Sequence, residues 1–180
     1  VDRSEFSRRI TETLELVPRP WVHLHPCGVL DQDGELELWE TPGHSGAASF
    51  AGSDAGGAVP VRVPVRDVGR MLPPLAAGRS WAAKVDVEGV EMRILPSLLA
   101  MPGMRFVVAE VSHLDHAQRL WNIVRSNGHA IFGVSRSKMV SRLEPITAPR
   151  DMGRFEDVLI AHLDGATFDR PASPEQVAAR

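Results

Sequence analysis

The chain has 180 residues, 43% apolar and 24% charged, with a net charge of -3, the profile of a globular protein with a real core. The acidic balance argues against a general nucleic-acid binder, whose footprint is basic, and no stretch of about 18 apolar residues offers a membrane span. The single cysteine, Cys27, excludes an internal disulfide and a cysteine zinc cluster; with no secretory leader in view, the expected compartment is a reducing cytoplasm.

Residues 4–16 space Phe6, Ile10 and Leu14 at helical intervals, with Ser4 as N-cap and Glu5 in the first turn. VPRP at 17–20 stops that helix. Residues 21–30 read as a strand interrupted at Pro26, residues 31–34 as a turn and 35–40 as a second strand, together forming a hairpin. Residues 41–58, rich in Gly, Ser and Ala, read as a long loop, either a lid over an acceptor or a plainly flexible segment. Pro60 and Pro64 restrict residues 59–68 to an edge or connecting strand, and a short helix follows over 67–75.

From Trp81 onward, strand and helix patterns alternate. The strand WAAKVDV (81–87) precedes the helix EMRILPSLLAM (91–101), which contains Pro96. The apolar strand MRFVVAEV (104–111) precedes a helix over 114–128 that stops at Asn127–Gly128. Strands follow at 129–135 and 155–163. This alternation predicts parallel βαβ units within one domain over residues 1–168. The last two strands, with no helix between them, are expected to be antiparallel. Residues 169–180 read as a flexible tail.

The candidate site lies where the strand at 81–87 ends. Side chains alternate along a strand, so Lys84, Asp86 and Glu88 share one face and Val85 and Val87 the other. Gly89 then permits a tight turn into the next helix. Both acids fall at the carboxyl edge of a sheet strand, where open α/β sheets bind ligands. Paired carboxylates there can accept a hydroxyl proton or hold a cation. Glu88 alone is equally well explained as a helix-entry acid; Asp86 lies too deep for a cap.

KVDVEGVEMRIL (84–95) resembles the signature of FkbM-type methyltransferases, in which a strand ends in an Asp-x-Glu-Gly turn and a further Glu follows. VHLHPCGVLDQDGELELWE and GHSGAASF before it, and RFVVAEVSH and FEDVLIAHL after it, resemble other family segments in order, covering about residues 1–163, although His44 stands where the family's loop usually opens with Asn. The resemblance implies a class I fold: a three-layer α/β sandwich on a mostly parallel, Rossmann-like sheet. It also implies S-adenosylmethionine-dependent O-methylation of a hydroxyl, often on a sugar or secondary metabolite. By position, Asp2 would hold the ribose hydroxyls, and Gly28, Val29 and Leu30 would lie near the adenine. Asp86, Glu88 and Glu110 would line the pocket where donor and acceptor meet. The family's first strand and glycine-rich loop precede the position matched by Asp2. The implied sheet is therefore N-terminally incomplete: a fragment, completed by a partner, or rearranged. The rival expectations are a truncated, non-catalytic interaction module, dimeric through exposed sheet edges, and a sugar-binding module without chemistry.

Other groupings carry less. His23 and His25 alternate on one strand without an obvious third metal ligand. His44 and Ser45 near Cys27 lack a nucleophile elbow. Arg136, Lys138 and Arg142 read as a solvated basic loop, and Trp121 as a core residue.

Overall fold

The computed structural model describes residues 5–17, 19–41, 44–49, 59–87, 89–110, 116–136 and 141–162. They belong to two compact units, Val1–Ala77 with Asp86–Leu98, and Gly78–Val85 with Leu99–Arg180. Asp2, Glu88 and the tail at 169–180 lie outside the described residues.

In the first unit, α1 (Glu5–Leu16) follows the expected helical spacing, and Arg8 pairs with Glu12 one turn on. The sheet contains β1 (Gly28–Leu30), β2 (Gly34–Thr41), β3 (His44–Ser49) and β4 (Val59–Asp67), in the order β1-β4-β2-β3. Three expectations are corrected here. The strand expected over 21–30 is confined to its last three residues. β1 and β2 do not form a hairpin, because β4 lies between them, parallel to β1 and antiparallel to β2. The connection at residues 31–33 therefore has to span a whole strand. Asp33 secures it by accepting a hydrogen bond from the Asp67 N–H at 3.0 Å. Part of the supposed loop, His44–Ser49, is a strand paired with β2.

The prolines of β4 tell a subtler story. Pro60 and Pro64 are four residues apart, so their nitrogens face the same edge. The ladder to β2 runs from Val59 to Val65, past both of them. Their donor-less nitrogens are therefore turned the other way, where β1 pairs only with residues 65–67. Among the described residues, β4 thus has neighbours on both sides only at Val65, where the two ladders overlap. Alternation puts Val61, Val63 and Val65 inward and Arg62, Pro64 and Arg66 outward. Val65 and Leu30 meet Val90 in a core that Leu36, Val63 and Val87 extend.

Helix α2 (Val68–Ala76) is N-capped by Asp67, whose side chain accepts from the Gly69 N–H at 2.8 Å. Helix α3 (Glu91–Leu99) tolerates Pro96 and buries Met92, Ile94, Leu95 and Leu98.

The second unit holds β5 (Trp81–Val85), β6 (Met104–Glu110), β7 (His129–Arg136), β8 (Ser141–Pro145) and β9 (Asp157–His162), in the order β5-β6-β9-β7-β8. Helix α4 (Ala117–Ser126) buries Ala117, Leu120 and Val124, and packs on β7 and a 3-10 helix at Pro149–Arg154. Trp121 is half-buried, with the Arg125 guanidinium 5.8 Å from its ring centre. The basic segment expected as a loop continues β7 to Arg136 and resumes as β8 at Ser141.

The mostly parallel three-layer sandwich is overturned. Among the described residues there are two mixed sheets, and of seven strand pairings only β1/β4 and β5/β6 are parallel. The helix patterns do send β5, β6 and β7 in one direction. The reversal comes from β9, which runs back between β6 and β7 and is antiparallel to both. The expected antiparallel relation of the last two apolar strands is present in the β7/β9 pair. Among the described residues, no helix is long and apolar enough to cross a membrane.

The start of β5 is held by the turn before β6. The Trp81 N–H donates to Gly103 O and its indole N–H to Pro102 O, both at 2.9 Å. Gly103 has φ 80°, and a Cβ there would meet the Arg79 carbonyl oxygen at 2.6 Å. Gly103→Ala should therefore cost about 1–3 kcal/mol, through left-handed strain and that clash. Urea denaturation should show a lower midpoint at unchanged slope; an unchanged midpoint would refute this account.

Candidate functional site at the strand-to-helix turn

The connection from β5 into α3 is built as the alternation of its residues dictates. Lys84 and Asp86 are exposed, Val85 is buried, and Val87 joins the Leu30–Val65–Val90 cluster. Gly89 takes φ 98°, a conformation that side-chain-bearing residues rarely adopt. Its N–H donates to Glu91 Oε1 at 3.0 Å. Glu91, the further acid of the motif, is only 5% exposed and opens α3, where a negative charge suits the helix dipole. The helix-entry acid seen in this structure is thus Glu91.

The first unit also fixes α3 through Arg93, whose Nε and a terminal nitrogen both donate to Asp31 Oδ1, just after β1. That guanidinium holds the Asp31 carboxyl below its ordinary value. Of the residues assigned to the cofactor, Gly28 and Val29 are half-buried. Leu30 is fully enclosed in the core and supports β1 from within.

In the second unit, Glu110 ends β6 and is half-buried. It stands opposite Asp157 in the β6–β9 ladder, so the two acids share one face of the sheet. Asp157 is buried and was not anticipated. Its only signal in the sequence is an acid at the head of the apolar run DVLIAH.

Two clefts have linings that do not include the residues of this turn. One, of about 480 Å³, is lined by His25, Cys27, Asp33, Arg66 and Arg70, among others. Burial pushes the Cys27 thiol upward, opposed by the nearby Arg66, which disfavours the reactive thiolate. His23 and His25 are exposed, and no group of three or more His, Cys, Asp or Glu able to hold a metal occurs among the described residues. His44 lies in β3, opposite Thr41 in the β2–β3 ladder.

No family model, curated protein or solved structure matches the chain.

Two outcomes test the turn. Glu91→Ala removes the buried acceptor of the Gly89 N–H and should lower stability by about 1–3 kcal/mol, read by thermal unfolding; a neutral result would mean that the bond contributes nothing. Asp31, with its folded-state pKa depressed by Arg93, stabilises the fold above its unfolded pKa, and this contribution fades as pH falls through the lower folded value. Because the pair is surface-exposed, the effect should be small. The wild-type protein should lose slightly more stability between neutral and acidic pH than Asp31→Asn, and identical profiles would exclude the linkage.

Proposed function

We propose that the protein is an S-adenosylmethionine-dependent O-methyltransferase of the FkbM type, working in the cytoplasm on a hydroxyl of a sugar or secondary metabolite. The observation that carries this reading is the connection from Val85 to Glu91. An exposed Asp86 leaves a strand that has a parallel neighbour, and a left-handed glycine tied to a buried glutamate then starts a helix. That is the conformation the Asp-x-Glu-Gly signature needs if its first acid is to face a ligand rather than cap the helix.

When bound, the cofactor supplies an electrophilic methyl group on a sulfonium. Gly28 and Val29, half-buried on β1, leave surface for its adenine. Leu30 can contribute only from behind. Asp86 orients the acceptor hydroxyl and takes its proton as the oxygen attacks, with alignment at near-contact distance supplying much of the acceleration. Glu88 and Glu110 are the further acids of the reading.

A second reading, a non-catalytic interaction module, is favoured by one observation. Leu16, Val17, Trp21, Val22 and Leu24 form an exposed apolar run, with Trp21 71% exposed. Calorimetric titration with S-adenosylmethionine separates the two. Binding, together with methyl transfer to hydroxyl acceptors, supports the enzyme; neither heat nor thermal shift supports the module. In the active protein, Asp86→Asn should reduce turnover by roughly 100-fold or more while changing stability by less than about 1 kcal/mol. Full turnover in that variant would remove Asp86 from the chemistry.

A further inference from the structure

The second unit contains a cleft of about 500 Å³ near the amino-terminal ends of β6 and β7, lined by Met101, Met104, Asn127, His129 and His162, among others. His129 opens β7 and His162 closes β9, and the two stand directly opposite each other in the ladder. His129 is only 4% exposed. One of its ring nitrogens, Nε2, lies 2.9 Å from the Leu99 carbonyl oxygen. A carbonyl only accepts, so Nε2 carries the proton and Nδ1 is left with a bare lone pair. That Nδ1 is buried and has no hydrogen-bond partner. An unsatisfied buried nitrogen is costly.

A metal ion resolves that cost. Metal-bound histidines characteristically donate their second ring N–H to a backbone carbonyl, which fixes the tautomer, and His129 already does this with Leu99. The ring spacing agrees. A nitrogen about 2.0 Å from a metal puts its ring centre roughly 3.2 Å away, so two imidazoles at a tetrahedral angle have centres roughly 5.2 Å apart. The His129 and His162 ring centres are 5.1 Å apart. His162 is exposed and lines the same cleft.

The remaining donors identify the ion. Met101 and Met104, both buried, are thioether residues lining the same cleft, whose lining includes Arg105 and no carboxylate. Neutral imidazole and thioether, with no anion to offset a double positive charge, suit a soft monovalent ion. We propose that His129 and His162, completed by a methionine thioether, form a copper(I) site.

The test is anaerobic titration of the reduced protein with copper(I) in competition with a chromophoric chelator. One equivalent should bind, and His162→Ala should weaken it by more than about 100-fold with an unchanged circular dichroism spectrum. Cys27→Ser and the double variant His23→Ala/His25→Ala should bind as tightly as the wild type. Met101→Leu/Met104→Leu should weaken binding, and X-ray absorption on the Cys27→Ser protein should show nitrogen ligands with one sulfur. Affinity unaffected by His162→Ala, copper lost with Cys27, or zinc(II) displacing copper(I) would each overturn the assignment.

Discussion

The contact of Val90 with Leu30 and Val65 is the constraint on which the first unit depends. It brings the end of β1, the end of β4 and the start of α3 to one apolar point, with Val87 packed alongside. Burying three aliphatic side chains stabilises by several kcal/mol on transfer grounds, enough to hold a turn that local propensity alone would not. Between the anchored Val87 and Val90, the chain has only Glu88 and Gly89 with which to reverse direction. Gly89 answers by adopting a positive φ, and Glu91 by accepting its N–H from inside the helix. The outward face left to Asp86 is a by-product of what must point inward.

Local structure was largely legible because it is local. Phe6, Ile10 and Leu14 announce a helix and Asn127–Gly128 a helix end, each within a few residues of chain. The order of strands was not, because pairing joins positions far apart. Nothing within 28–41 reveals that β4 will separate β1 from β2, and nothing near Asp157 shows that β9 will enter between β6 and β7. Alternation of helices and strands fixes direction; it leaves neighbours open, and the parallel sandwich fails on neighbours.

The candidate site divides in the same way. Asp86 and Gly89 can be found from spacing within one strand and turn. The burial of Glu91 beside Gly89 needs knowledge of what covers the helix start. The facing of Glu110 by Asp157, and of His129 by His162, depends on register across the β9 ladder, for which a single sequence carries no signal. Leu30 shows the opposite hazard: a position assigned to a ligand from order along the chain proves to be fully interior.

The prolines of β4 have a consequence of another kind. Among the described residues β1 pairs with only the last three residues of β4, and a flank without a ladder invites a neighbouring molecule to add its own strand. With donors missing at Pro60 and Pro64 on that flank, an incoming chain finds a ladder with two rungs removed. Prolines compatible with the β2 ladder thus discourage cross-molecule zippering along the other flank of β4.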